Sequence, residues 1–151
     1  MPDTMTPEQR SRTMRAVRSR DTHPERALRR ALWAAGVRGW RCHWRAAPGK
    51  PDLAWPGKRV AVFVDGAFWH GHPDRYWPGR SGDYWDEKIE RNRARDRRTN
   101  AELLEGGWAL IRLWDFEVLE DPAGSAAKVI DLVETVQGAA RTGPVRGTGE
   151  R

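Results

Sequence analysis

Cysteine is almost absent. Cys42 stands alone among 151 residues, which excludes an intramolecular disulfide and any multi-cysteine zinc site. Long hydrophobic runs are missing too, the longest being far too short to span a bilayer. The polar N-terminus does not resemble a signal peptide, and no internal repeat is visible. Negative charge is the minority sign: 21 Asp and Glu face 27 Lys and Arg, for a formal net charge of +6 and an isoelectric point near 10.2. Most of the cations are arginine, whose guanidinium fork matches phosphate oxygens in pairs. The nine tryptophans are the other anomaly, too many for so polar a chain to use only as core, which leaves several for stacking on bases or binding a partner. The length suits one domain, 1–138, and the composition favours a soluble cytoplasmic protein acting on nucleic acid.

The pattern in chain order is helix, helix, three strands, long helix, strand, helix, which fits a three-layer α/β domain with its site at strand ends. Thr6-Pro7-Glu8 reads as the start of a short basic helix to about Arg18. Met14 and Val17 of that segment can dock on the core. The single sign of its charge favours instead an arm that contacts DNA. Thr22-His23-Pro24-Glu25 reads as a capping box opening a second helix that Gly36 ends, so Glu25 has a sufficient explanation as a cap. Trp40, Cys42 and Trp44 alternate with Arg41, His43 and Arg45, the period of a half-buried strand with Cys42 inside. Asp52 to Trp55, a Pro56-Gly57-Lys58 turn and Arg59 to Val64 suggest a hairpin. Asp83 is a plausible N-cap for a helix closed by Gly106-Gly107. Trp85, Lys88, Asn92 and Asp96 share one of its faces, which is polar apart from the tryptophan. Trp108 to Trp114 reads as another buried strand and 123–137 as a last helix, with a disordered tail over 139–151.

Chemistry concentrates in Arg59–Asp74. The run Val60-Ala61-Val62-Phe63-Val64 is a buried strand that ends on Asp65-Gly66 and delivers Phe68, Trp69 and His70 into one loop. Pro51-Asp52 places a second carboxylate at the mouth of a neighbouring strand. Two carboxylates on adjacent strand ends beside a histidine suggest a hydrolytic metal site.

Met14-Arg15-Ala16, Arg20-Asp21-Thr22, Pro51-Asp52, Phe68-Trp69-His70, the series Trp85, Lys88, Ile89, Asn92, Asp96, and Gly107-Trp108 leading to Leu113-Trp114 together resemble the very short patch repair (Vsr) endonucleases. The resemblance runs in order over residues 10–120. It implies a restriction-endonuclease-like core, a mixed central sheet flanked by helices, and magnesium-dependent nicking of double-stranded DNA 5′ to the thymine of a T:G mismatch. Such mismatches follow deamination of 5-methylcytosine, so the implied functional partners are a DNA cytosine methyltransferase and mismatch-repair proteins. The protein would act as a monomer in the nucleoid-bearing cytoplasm. By the same resemblance, Asp52 and the Val64 backbone carbonyl bind the metal. His70 is the general base oriented by Asp96, and Glu25 holds a metal-bound water. Phe68, Trp69 and Trp85 wedge into the base stack, Met14 enters from the other groove, and Arg15, Arg18, Lys88 and Asn92 contact DNA.

Each role suits its residue. Mg²⁺ takes few carboxylates along with water and phosphate oxygens. An imidazole can accept the proton of water while a carboxylate on its far nitrogen fixes the tautomer. Trp85 could equally be core, and Asp96 could simply pair with an arginine. Two positions depart from the family pattern. Where the family often binds a structural zinc, this chain has Ala67, His72, Asp74 and Phe116, so no zinc is expected and Phe116 should fill the space. Asp65 stands where a family member can carry histidine; a carboxylate there could bind magnesium directly or through water. The alternatives are a broader restriction-type or structure-specific nuclease and a catalytically silent DNA-binding relative. An intact Asp52, His70 and Asp96 argues against the last.

Overall fold

The computed structural model describes residues 21–139. The basic N-terminal helix with Met14, Arg15 and Arg18, and the tail from residue 140 onward, lie outside the described residues. The elements are α1 (His23–Ala34), β1 (Arg41–Cys42), β2 (Leu53–Trp55), β3 (Val60–Asp65), α2 (Asp83–Glu105), β4 (Ala109–Trp114), α3 (Asp115–Glu120) and α4 (Pro122–Ala139). The strands form a four-stranded mixed sheet in the order β1-β2-β3-β4. β1, β2 and β3 pair antiparallel, whereas β3 and β4 run parallel with Val60 opposite Ala109 and Asp65 opposite Trp114. The parallel pair is joined by α2, the crossover such a connection requires. This mixed α/β architecture is consistent with the restriction-endonuclease-like fold.

Side-chain alternation along β3 and β4 explains the layers. Val60 and Val62 of β3, with Ala109 and Leu113 of β4, join Leu28 and Leu32 of α1 and Val129 and Val133 of α4 in the larger core. Ala61, Phe63 and Leu110 point the other way and meet Leu103 of α2 in a smaller one. On that second face the alternation also places Asp65 and Arg112 under α2, and both are buried. The apolar stripe of α1 is as its spacing implies, but its start is not. Thr22 makes no side-chain cap bond, and Glu25 accepts the N–H of Asp21 at 3.0 Å. α2 begins at Asp83 after Gly82, so Asp83 lies in the first turn and is not the cap. Its other end stops where Gly107, at φ 80°, takes the left-handed conformation that glycine tolerates.

Two expectations fail at the sheet edge and beyond β4. The Trp40–Trp44 strand reduces to Arg41–Cys42, and Cys42 is exposed. His43 is the buried neighbour, at φ 50°; that left-handed residue turns the chain and inverts the alternation. Its N–H reaches the Asp52 carbonyl at 3.0 Å, while the next N–H, of Trp44, reaches Pro51 at 3.1 Å. Beyond β4, α3 is an unforeseen helix. Asp115 at its start accepts the N–H groups of Ala67 at 3.2 Å and Phe116 at 2.8 Å, tying the loop after β3 to the end of β4.

The turn leading to Asp52 passes through Gly49 at φ 75°, where an added Cβ would run into Thr99 Cγ2 on α2. Gly49→Ala should therefore cost about 3 kcal/mol, from left-handed strain and overpacking together. Adding Thr99→Ser, which removes the clashing methyl, should recover part of it. Urea unfolding of the three proteins measures both effects.

Candidate active site

Because β2 runs against β3, the residue before β2 lies beside the end of β3. Asp52 occupies that place, and its Oδ2 accepts the Val64 N–H at 2.7 Å. The cleft there, about 550 Å³, is floored by Glu25 from α1, Asp52, Asp65 at the end of β3, His70 from the following loop, Asp96 from α2 and Arg112 from β4. Exposed Lys50 and Arg95 also line it. That volume suits a nucleotide-sized group. Glu25, Asp52, Asp65, His70 and Asp96, expected from sequence to act together, thus do share one cleft.

His70 is held between two acids. Its Nδ1 hydrogen-bonds Asp96 Oδ2, and its Nε2 lies 3.7 Å from Asp65 Oδ1. With the Nδ1 proton engaged by Asp96, the Nε2 lone pair is the nitrogen able to accept a proton. Behind them stands Arg112, which no motif singles out. Its Nη1 is 3.2 Å from each Asp65 oxygen and 3.4 Å from Asp96 Oδ1, and its Nε donates to Asn100 Oδ1 at 2.7 Å. The one signal for it in the sequence is its position, a single charge inside the apolar run Ala109–Trp114.

A second group of charges surrounds the start of α1. Arg29 Nη2 is 3.0 Å from Asp21 Oδ1 and Arg29 Nη1 is 3.9 Å from Glu25 Oε2. Although desolvation opposes it, the Arg29 guanidinium, and then His43, hold the Asp21 carboxyl below its ordinary value. His43 links this group to Asp52: Nε2 is 3.5 Å from Glu25 Oε2 and Nδ1 is 3.9 Å from Asp52 Oδ1. Sequence alternation puts His43 on the solvent side, so this residue is missed by the motif reading.

Among the described residues, two sets of donors could hold a cation by proximity, Asp21-Glu25-His43 and Asp65-His70-Asp96. Each already has an arginine. Asp52 is different. Burial first, then the negative charge of Glu25, push its carboxyl up to about 8, against the Val64 hydrogen bond; Asp65 adds to the rise. An acid raised by neighbouring acids is a site short of positive charge, and carboxylate oxygens are the donors that hard divalent cations take. The residues present therefore fit a metal at Asp52. Asp65, expected to reach magnesium directly or through water, has both its oxygens against Arg112.

The residues expected to touch DNA divide. Phe68 is half-buried, but Trp69 and Trp85 are only 3% and 2% exposed, so Trp69 does not project from its loop and Trp85 takes the core alternative left open for it. They pack edge-to-face with each other, centroids 5.4 Å apart, and Phe68 sits on both, at 6.1 and 5.8 Å. Lys88 Nζ lies 4.7 Å above the Trp69 ring. Asn92 is buried and donates to the Trp69 carbonyl at 3.0 Å. Around the zinc-related positions, the His72 ring meets Trp114 at 4.7 Å and Phe116 at 5.0 Å, and its Nδ1 accepts the Asp74 N–H at 3.0 Å. Ala67 and Phe116 bring no donor atom, and His72 and Asp74 join no group of three candidate ligands among the described residues.

The family model for DNA mismatch endonuclease Vsr matches residues 2–75. Among individual proteins, the chain is 41% identical over 136 residues to the type II nicking enzyme V.XorIIP of Xanthomonas oryzae pv. oryzae, covering 89% of this chain and 98% of the relative. It is 40% identical over 142 residues to the type II nicking enzyme V.NmeDIP of Neisseria meningitidis serogroup C, covering 90% and 93%. DNA mismatch endonuclease Vsr of Escherichia coli strain K12 is 36% identical over 108 residues, covering 70% and 69%.

The raised Asp52 acid makes a signed prediction. Without metal, the folded protein keeps the Asp52 proton up to about pH 8, whereas the unfolded chain releases it near 3.8. The folded state binds more protons in that window, so this group's contribution to stability falls as pH rises through it. In EDTA, wild type should lose more unfolding free energy than Asp52→Asn between pH 5 and 8. Divalent-cation binding at pH 7 should release a proton in wild type only, read by calorimetry in two buffers.

Proposed function

Because the chain belongs to the family of DNA mismatch endonuclease Vsr, and is accordingly a DNA endonuclease, we propose that it nicks duplex DNA 5′ to the thymine of a T:G mismatch, with Mg²⁺ at Asp52. The observation that carries the reading is the His70–Asp96 pair beside an acid short of positive charge. A DNA-binding module has no use for a base and its orienter in the same cleft as an uncompensated carboxylate.

His70 Nε2 takes the proton of a water in the cleft while Asp96 holds the Nδ1 proton and steadies the imidazolium that forms. The water oxygen bonds to phosphorus, and the bond from phosphorus to the departing sugar oxygen breaks. Asp52 and the Val64 carbonyl would hold the divalent cation, which would supply positive charge to the phosphoryl group. Glu25, whose carboxyl lies beside that of Asp52, would order the water around that position. Lys50 and Arg95 at the rim bind the flanking phosphates, and Arg15 and Arg18 extend that contact along the backbone.

Mismatch selection falls to the aromatic cluster. Phe68, the member with an open edge, enters the stack beside the mispair; Trp69 and Trp85 form the packed base behind it, with Met14 on the other side. A mispaired step opens for less energy than a matched one, which favours cutting there. Lys88 sets its charge over that base, and Asn92 fixes the Trp69 main chain. Substrates of this kind arise from deaminated 5-methylcytosine, which links the enzyme to a DNA cytosine methyltransferase and to mismatch-repair proteins. Action as a monomer in the cytoplasm completes the proposal; no helix among the described residues is long and apolar enough to cross a membrane.

Strand-resolved cleavage of a labelled T:G duplex against its C:G control tests it. With Mg²⁺, the expected product is one nick on the thymine strand, absent in EDTA. His70→Ala should lower kcat by about 100-fold or more, and Asp52→Ala should abolish metal-dependent turnover. Phe68→Ala should reduce the preference for T:G over C:G more than it reduces affinity for the matched duplex. Equal cleavage of both duplexes would favour a broader nuclease, and tight binding without cleavage a silent relative.

A further inference from the structure

We propose that Arg112 is a positioning residue for the hydrolytic base, holding the two carboxylates that flank His70 so that its Nε2 stays open to the cleft. The inference rests on the reading of His70 as that base.

Arg112 stands at the register position opposite Phe63, on the face of β4 that alternation turns toward α2, and its side chain is 3% exposed. The guanidinium carbon lies 4.1 Å over the Phe63 ring, which fixes its plane from below. Asn100, one turn along α2 from Asp96, fixes its direction by taking the Nε proton at 2.7 Å. So held, Nη1 touches Asp65 on one side and Asp96 on the other. These are the same two acids that face the two ring nitrogens of His70.

The chemistry of the ring requires them to behave differently. Asp96 must stay on Nδ1 to fix the tautomer, and Asp65 must stay off Nε2, or it would capture the atom that has to take a proton from water. A carboxylate 3.2 Å from a guanidinium and 3.7 Å from an imidazole nitrogen has given its hydrogen-bonding length to the arginine. Arg112 also offsets one of two negative charges that would otherwise repel an incoming phosphodiester. A buried ion pair placed only for stability would be a poor choice here, since an apolar pair of the same volume serves as well. Its contact with both partners of the base is what a positioning role explains.

The test uses the full-length protein and four variants: Arg112→Gln, Asn100→Ala, Asp65→Asn and the double Asp65→Asn/Arg112→Gln. On the T:G duplex, Arg112→Gln should lower kcat about 100-fold with KM within about twofold, the split expected when a base is misaligned and DNA still binds. Asn100→Ala, which touches neither His70 nor Asp65, should lower kcat in the same sense by a smaller factor. The double variant should regain at least about tenfold over Arg112→Gln, because a neutral amide in place of the Asp65 carboxylate no longer uses a negative charge to hold a proton on Nε2. In parallel, the His70 Nδ1 proton resonance in the metal-free protein should be present in wild type and weakened or shifted in Arg112→Gln. Losses that add in the double variant, or an unchanged kcat in both Arg112→Gln and Asn100→Ala, overturn the proposal. If Arg112→Gln does not fold, Asn100→Ala decides: a lowered kcat with KM within about twofold supports the proposal, and an unchanged kcat overturns it. If wild type cuts no mismatched duplex, the functional reading fails, and the His70 resonance alone still decides whether Arg112 positions the ring.

Discussion

Four carboxylates, Glu25, Asp52, Asp65 and Asp96, reach one cleft from α1, the turn before β2, the end of β3 and α2. Like charges at that spacing raise one another's cost of ionising, and burial adds to it. The arrangement stands because two pairs of acids each have an arginine: Arg29 beside Asp21 and Glu25, Arg112 between Asp65 and Asp96. Asp52 is the member that burial first, and then the charge of Glu25, drive toward its protonated form. What remains is a deficit of positive charge at one carboxylate, on the side of the cleft that faces solvent. A divalent cation brought in with a phosphodiester answers that deficit, and a monovalent side chain already in place would not leave room for it.

This constraint explains why the two faces of the sheet are so unlike. The α1–α4 face carries the larger aliphatic cluster, and the α2 face has a smaller one around Phe63, Leu103 and Leu110, with Trp85 and Ile89 buried nearer the start of the helix. The rest of the α2 interface is given to Asp96, Thr99, Asn100, Asp65 and Arg112. Trp85 and Ile89 anchor the first half of the helix and Leu103 its end, so the polar residues Asn92, Asp96 and Thr99 are held between apolar contacts, while the opposite face supplies further packing. Local rules of core composition are broken where the chemistry lies and kept on the other side.

The same division decides what could be read from sequence. β3, β4 and α2 were legible because apolar runs and glycine stops mark them, and Asp52, His70 and Asp96 because their motifs fall at strand ends and on one helix face. β1 and α3 were not. A period of two cannot foresee that His43 adopts φ 50°, which exchanges the burial of Cys42 and His43 and shortens the strand. α3 follows β4 without an intervening turn, so no loop chemistry announces it. Arg112 was visible only as an interruption of an apolar strand. Its meaning depends on Asp65 and Asp96, which lie far from it in sequence and come together only through the crossover. The tryptophan count pointed to side chains left for stacking on bases or binding a partner, but not to their depth, since Trp69 and Trp85 read the same in sequence whether they project or pack.

Their depth changes the physics of how a wedge would work. A single exposed aromatic has many orientations to lose on entering a base stack, and that loss offsets much of what stacking provides. Here Phe68 is held edge-on by Trp69, Tyr76 and Trp85, with centroids between 5.8 and 6.3 Å. Tyr76 is in turn fixed by its hydroxyl, which donates to Asp86 of α2 at 2.8 Å, and burial together with that acceptor pushes the phenol up to about 12. The same carboxylate accepts the Gly79 N–H at 3.0 Å, so the loop is pinned to the helix that carries Asp96. A wedge ordered before DNA arrives gives up little entropy on insertion. Because it is ordered through α2, its position is tied to that of the base. Under the proposed function, recognition of a weakened base step and alignment of the hydrolytic groups would therefore share one helix, so a displaced wedge would displace Asp96 as well.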